Sequence, residues 1–498
     1  VRFHPKIFAM EFVQAVLSVL PTVWPVLFLL YVFASALFII MENKEPKTTL
    51  AWVLLFWILP FVGLLVYVFF GRGHRAFSRE RRLLKQIITS ESQPNLGGLM
   101  KQQDDCFETN ICLSLTQRRV AEMCNRNSYS LLTLHNEVTI LQNASAKYPR
   151  LLEALRGAKH AINIQYYSWD SDAFTNELKD ILIERAKAGV QVRALYDWAG
   201  CLSGLSNDYL RQLKSAGVNI LPYLKLGINQ VHNIGYRNHR KIVVVDGDIG
   251  FVGGINMGEE HLTGGKYFKR WRDTHLRVQG EGAAALQAAF AVGWYNTTGE
   301  MLNDPKFYAH SRPERIVPMQ IVSSGPDSEW AAVRQLYFKL ITNAEKNVFI
   351  QSPFFILDDS ISEAIKAACL SGVDVRIMLT PRGGVYQVPY RAALTYCAEM
   401  SRAGAKIYFY AAGYLHAKTI MIDGEMCSIG TANMDIRSFS INYETNAVLY
   451  DNALTRELER DFLNDIDDCT EFTWRGYRKE PVLARLRDSV YRLCSPLL

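Results

Sequence analysis

Two copies of one reactive phrase lie 177 positions apart in this chain. The first runs His239-Arg240-Lys241, then Asp246, then Gly253-Gly254-Ile255-Asn256. The second runs His416-Ala417-Lys418, then Asp423, then Gly430-Thr431-Ala432-Asn433, with His, Lys, Asp, Gly and Asn at identical spacing. Each copy holds the parts needed to break and remake a phosphodiester. An imidazole, with an ordinary pKa of about 6.5, can attack phosphorus or move a proton near neutral pH. One histidine can form a covalent phosphohistidine while the other protonates the leaving alkoxide and then deprotonates the incoming alcohol. Lys241 and Lys418 can place fixed charge against the non-bridging oxygens, and Asn256 and Asn433 can add hydrogen bonds as charge grows. Two lysines stand where many phosphoryl-transfer sites use a metal, and no cluster has metal-ligand spacing. Neither a metal nor a cofactor is expected.

These residues need two matched scaffolds, and the sequence around them is repeated as well. Residues 158–165 align with 344–351, Gly189-Val190-Gln191-Val192-Arg193 with Gly372-Val373-Asp374-Val375-Arg376, and 216–220 with 403–407. The order is strand, helix, Gly, strand, helix, Gly, strand, motif. The helical stretch Leu178–Ala188 ends at Gly189, a capping glycine followed at once by an apolar strand. Ile242-Val243-Val244-Val245 and Thr419-Ile420-Met421-Ile422 read as buried strands. That reading puts each His and Lys two residues apart on one strand, facing one side. Asp246-Gly247-Asp248 and Asp423-Gly424-Glu425 read as hairpin turns. Gly253 and Gly430 are expected to bring backbone close to the phosphate. The fold class is α/β: two halves, each a mixed sheet flanked by helices, with the site at their pseudo-twofold interface.

The phrase resembles the signature of the phospholipase D superfamily, His-x-Lys-x4-Asp followed by a Gly-x-x-Asn segment. Tyr236-Arg237-Asn238, Trp271-Arg272-Asp273, Ser324-Gly325-Pro326-Asp327, Asp435-Ile436-Arg437-Ser438-Phe439 and Ser495-Pro496-Leu497-Leu498 narrow the resemblance to bacterial cardiolipin synthases. The resemblance implies duplicated phospholipase D-like domains, with His239, Lys241, Asp246, His416, Lys418 and Asp423 as the catalytic set and His239 as nucleophile. It matches Asp273 and Glu444 to the carboxylates that orient the two imidazoles, against the bland reading of plain salt bridges. Asp246 and Asp423 then read as braces of the turn. The implied reaction joins two phosphatidylglycerols into cardiolipin and glycerol at a lipid bilayer, with no nucleotide and no nucleic acid, and a homo-oligomer is compatible with it. Rival readings are a phospholipase D hydrolase giving phosphatidic acid, a nuclease of the superfamily, and a noncatalytic lipid-binding scaffold.

The hydrophobic content of 49% is unevenly placed. Residues 15–41 and 48–70 carry no charge, and each run can cross roughly 30 Å of hydrocarbon as a helix. With the polar turn 42–47 between them they read as a transmembrane hairpin, with Pro21 and Pro25 expected to kink its approach. Arg72, Arg75, Arg79, Arg81, Arg82 and Lys85 follow the second run, so the catalytic part and the N-terminus with Arg2 and Lys6 are expected on the cytoplasmic side of the cell membrane. The expected divisions are a hairpin at 1–75, a linker at 76–130, a first half at 131–310 and a second at 311–498. Nine scattered cysteines read as reduced thiols, and the net charge of +6 suits an anionic partner without an extended basic tract. Tyr166, Trp169, Tyr196, Trp198, Phe354 and Phe355 are candidates for an acyl groove or for core. The tail 481–493 carries an apolar helical face that suits either the membrane or the protein body.

Overall fold

The structure is a computed structural model that describes residues 5–42, 46–67, 79–90, 93–109, 112–225, 235–381 and 387–497. It divides into an N-terminal unit, residues 1–73 with 227–235, and a large unit formed by the rest.

In the N-terminal unit one helix runs from Pro5 to Met41, with Pro21 and Pro25 inside it. Its segment Val23–Met41 is long and apolar enough to cross a membrane. The expected second arm is divided, into helices Pro46–Ile58 and Pro60–Val66. The cause is Pro60, which lacks an N–H and pushes the preceding Leu59 out of helical geometry, to φ −132° and ψ 72°. Ile39, Phe56 and Tyr67 form a small buried cluster against Trp52, while most apolar side chains of the segment Val23–Met41 face outward. Arg2, Arg72, Arg75 and turn residues 43–45 lie outside the described residues.

The large unit is built on strands β1 (Leu132–Gln142), β2 (Ala161–Tyr166), β3 (Gln191–Asp197), β4 (Asn219–Tyr223), β5 (Ile242–Val245), β6 (Ile249–Gly253), β7 (Trp271–Arg272), β8 (Thr274–Gly280) and β9 (Ile316–Ser324). The second half continues with β10 (Asn347–Ser352), β11 (Phe355–Ile356), β12 (Asp374–Leu379), β13 (Lys406–Tyr410), β14 (Tyr414–Leu415), β15 (Thr419–Ile422), β16 (Met426–Gly430), β17 (Met434–Asp435), β18 (Glu444–Leu449) and β19 (Cys469–Phe472). The repeat predicts a mixed sheet in each half and leaves open how the two sheets meet. Both half-sheets are present, and they join into one sheet of 15 strands in the order β19-β13-β12-β10-β15-β16-β18-β9-β1-β8-β6-β5-β2-β3-β4. Apart from β19, its two wings are the same series read outward from the middle. They fuse because β1 and β9 would otherwise present unpaired backbone, and they pair antiparallel, Leu132 opposite Gln320 and Thr133 opposite Met319. Every residue of β5 and β15 is buried, as expected of apolar strands covered on both faces.

Where a linker is expected, helices Arg79–Ile88, Pro94–Thr109 and Leu115–Ser128 pack on the body. Leu83, Leu84, Ile87, Ile88, Leu96 and Leu99 are buried in one cluster with Phe290 and Trp294. Ser114 and Gln117 cap the third helix reciprocally, a signal present in the sequence. All nine cysteines are free thiols.

Candidate active site

Each motif begins by leaving its own half. Asn238 bridges Tyr443, and the His239 amide donates to the Tyr443 carbonyl at 2.9 Å. On the other side, β14 pairs with β7, and the His416 amide donates to the Arg272 carbonyl at 2.7 Å. His239–Lys241 and His416–Lys418 therefore stand just before β5 and β15 rather than on them. The strand expected through them fails because their backbone pairs across the halves.

That crossing decides the histidine partners. Tyr443 precedes Glu444 and Arg272 precedes Asp273, so each motif meets the carboxylate of the other half. His239 Nδ1 lies 3.0 and 3.1 Å from the Glu444 oxygens, and His416 Nδ1 lies 2.7 Å from Asp273 Oδ2. Both rings line one cavity of about 580 Å³, which leaves Nε2 of each for chemistry.

Glu444 is fully buried, accepts from the Thr431 hydroxyl at 2.5 Å and from Asn442 at 3.3 Å. Asp273, equally buried, accepts the Thr274 amide at 2.8 Å. The shorter carboxylate fits because Gly254 stands where the second half has Thr431, and a Cβ at Gly254 would collide with the Asp273 carboxylate. Gly253 and Gly430 face neighbouring strands, not the cavity: a Cβ at Gly253 would meet His275 Cα at 2.5 Å, and one at Gly430 would meet Asn446.

The electrostatics are those of a dry site. Burial lowers the His239 pKa to about 4, helped by Lys241 and opposed by Glu444. Burial, then Lys418 and Lys241, hold His416 well below the usual range. Glu444 stays below the ordinary range: burial raises it, but His239 and Lys241 outweigh that. Burial pushes Asp273 up against the pull of Lys418. Lys241 is drawn down to about 7 by burial and by Lys418, and Lys418 to about 8 by burial. Each lysine also donates to the carbonyl of its own motif histidine, Lys241 at 2.8 Å. Two ammonium groups held together in low dielectric await an anion.

Asn256 and Asn433 line the cavity, and among the described residues their buried Oδ1 atoms find no hydrogen-bond partner. Asp246 and Asp423 lie elsewhere, at the hairpin tips with φ 53° and 57°. The Asp246 carboxylate accepts the amides of Lys159, His160 and Ala161, and Asp423 those of Glu345, Lys346 and Asn347, all within 2.9 Å. Neither lines the cavity: each holds the start of β2 or β10 against the turn that aims its motif.

Several neighbours were not singled out by their spacing. Tyr167 meets the His239 ring edge-on at 5.0 Å, Trp271 lies 5.3 Å from the His416 ring and buried His261 6.3 Å from it. Lys147, fully buried, donates to the Ile255 carbonyl at 2.9 Å and steadies the Asn256 loop. A lone lysine in an amphipathic helix carries no signal of this. The halves also differ across the cavity. Arg437 stands in the motif position that Glu260 fills in the first half, and Arg237 in that of Tyr414, and all four line the cavity.

One wall is apolar and comes from the second half: Pro353, Phe354, Phe355, Leu379, Ala393 and Phe409. In the first half, Asp197 fills the position of Thr380 and ties down the Asn238 amide at 2.7 Å and Gly200 at 2.8 Å. Of the other aromatic candidates, Tyr166 and Trp169 are fully buried core, and Tyr196 and Trp198 do not line the cavity.

The family model "Cardiolipin synthase, PLD-like domain" matches residues 151–277 and 337–466, one block per half, and a "Phospholipase_D-nuclease N-terminal" model matches 28–72. A cardiolipin synthase of Geobacillus sp. (strain WCH70) is 39% identical over 469 residues, covering 93% of this chain and 91% of that protein. The chain belongs to the cardiolipin synthase family. The major cardiolipin synthase of Bacillus subtilis (strain 168) is 36% identical over 481 residues, covering 95% of this chain and 98% of that protein. A crystal structure of phosphatidylserine synthase from Haemophilus influenzae Rd KW20 shares the fold at 13% identity and TM-score 0.59, over 77% of this chain and 100% of that one. As a family member the chain is a phosphatidyltransferase of the phospholipase D superfamily, a phospholipid-modifying enzyme with an apolar N-terminal helix suited to a membrane.

Proposed function

We propose that the protein joins two phosphatidylglycerol molecules into cardiolipin and glycerol through a phosphatidyl-histidine intermediate. The observation that carries this reading is the pair of buried imidazoles, each held at Nδ1 by a carboxylate of the opposite half and both facing one cavity with an apolar wall. The names of the relatives support the substrate class.

In the first step His239, neutral above about pH 4, attacks phosphorus with its Nε2 lone pair. The phosphorus–glycerol oxygen bond breaks, and His416 gives that oxygen its proton. Asp273 supports the imidazolium that His416 must be beforehand; burial first, and then the two lysines, work against that charge, and the bound phosphodiester offsets the lysines. In the second step the free primary hydroxyl of another phosphatidylglycerol loses its proton to His416 and attacks phosphorus. The phosphorus–nitrogen bond breaks and His239 is restored. Lys241, Lys418, Asn256 and Asn433 bind the non-bridging oxygens, whose charge grows in both transition states. One phosphodiester replaces another, so no nucleotide enters the balance.

The test is mass spectrometry of lipids after incubating the purified protein in vesicles with labelled phosphatidylglycerol. Cardiolipin and equimolar glycerol are expected. Phosphatidic acid as the sole lipid product would make water the acceptor and sink the transfer reading.

A further inference from the structure

The last helix, Val482–Arg492, meets the protein on its polar side. Val482, Leu483, Leu486, Val490 and the following Leu493 fall within an arc of roughly 100° at 3.6 residues per turn. They are 69%, 77%, 58%, 53% and 79% exposed. A surface helix ordinarily turns such a stripe inward. Here the inward residue is Asp488, 2% exposed, which accepts from the Tyr477 hydroxyl at 3.3 Å and stands 3.8 Å from Arg391. Arg492 pairs with Glu399 at 2.9 Å and lies 4.1 Å over the Tyr396 ring, whose hydroxyl meets that of Ser495 at 3.0 Å. Arg391, Tyr396 and Glu399 all belong to helix Gln387–Ala403. This polar clasp fixes the rotation of the last helix and holds its apolar stripe outward.

We propose that the stripe docks in the interfacial layer of a phospholipid bilayer and seats the catalytic body on the membrane surface. Eleven residues are too few to span the hydrocarbon, but they suffice to lie in the interface. At 100° per residue Arg485 and Arg487 flank the stripe on its two sides. Arg487 donates two N–H groups to Asp488 Oδ1 at 3.1 Å, and its remaining N–H groups and the Arg485 guanidinium are the ones to reach lipid phosphates while the stems stay in the apolar layer. Arg475 and Arg478, on the preceding short helix, add to the basic rim. The clasping helix Gln387–Ala403 also gives Pro389, Tyr390 and Ala393 to the cavity wall, so docking would hold that wall near the lipid surface.

The test uses the full-length protein in vesicles of phosphatidylglycerol and phosphatidylethanolamine. A benzophenone side chain replaces Leu486 or, as control, Leu370, an apolar residue 78% exposed elsewhere. Irradiation is expected to yield a phospholipid adduct at 486 and little at 370. A cross-link from 486 to a second copy of the chain, no adduct, or equal lipid adduct at both positions would overturn the proposal. This arm does not depend on the transfer reading. The second arm does, and uses Leu483→Glu with Leu486→Glu. With an unchanged melting curve, kcat/KM on long-chain vesicles should fall about tenfold through KM, while turnover of monomeric dihexanoyl phosphatidylglycerol stays the same. Unchanged activity on vesicles, or equal loss on both substrates, would contradict docking. A wild-type protein that makes no cardiolipin from either lipid would defeat the transfer reading and leave the cross-link to decide docking.

Discussion

At the scale of single residues the crossed pairing separates two roles. Glu444→Gln withdraws the acceptor from His239, and Asp273→Asn from His416. Both should fold and lose roughly 10³-fold or more in turnover, because a carboxamide no longer fixes the imidazole tautomer. Pre-steady-state rates should separate them, Glu444→Gln slowing attack and Asp273→Asn slowing proton transfer to the leaving glycerol. Near-normal turnover in a folded variant would reduce that carboxylate to a structural ion pair. The lysines set the pH behaviour. Their pKa values are lowered, to about 7 and about 8, so positive charge is present below those values and lost as pH rises through them. The kcat/KM should therefore fall between about pH 7 and 8. A bound phosphodiester raises both pKa values again, so the same limb in kcat should lie at higher pH. Coincident limbs, or a flat kcat/KM from pH 6 to 9, would contradict this. The residue types and spacing of the motifs were legible in the sequence, down to Asp273 and Glu444. Which carboxylate serves which histidine was not, because it depends on a backbone crossing between segments 205 positions apart for His239 and Glu444 and 143 apart for His416 and Asp273.

At the scale of elements the repeat in the sequence corresponds to the wings of one sheet, strand for strand. The β-branched runs, the capping glycine at 189 and the Asp-Gly hairpins all stand where the sequence puts them. The β1–β9 seam was not legible, since nothing in either strand says that its edge is covered by the other. Nor was the placement of the motif residues ahead of their strands, which follows from bonds to Tyr443 and Arg272. The apolar wall likewise depends on a difference between equivalent positions, Thr380 against Asp197. Among the described residues the buried Thr380 hydroxyl has no partner. Ala393→Phe, which fills the wall, should lower kcat/KM on long-chain phosphatidylglycerol about tenfold or more and leave dihexanoyl phosphatidylglycerol nearly unaffected. Assays with lipids of matched head group and different chain length decide this. Equal loss on both would show that the wall shapes the reacting centre and not an acyl subsite.

At the scale of the whole molecule the chain couples a membrane-suited N-terminal helix to a catalytic body made of two interdependent halves. The charge bias after residue 70 motivates a cytoplasmic catalytic body. A cysteine placed in the 42–47 turn should be labelled by an impermeant reagent in intact cells, and one at the C-terminus should be protected. Reversed labelling would overturn that orientation. The central claim is the covalent intermediate, and rapid trapping tests it most directly. After brief incubation with phosphorus-labelled phosphatidylglycerol and acid-free denaturation, acid-labile label should map to His239, and His239→Ala should carry none. Cardiolipin formed at full rate with no phosphohistidine on either motif would contradict the account.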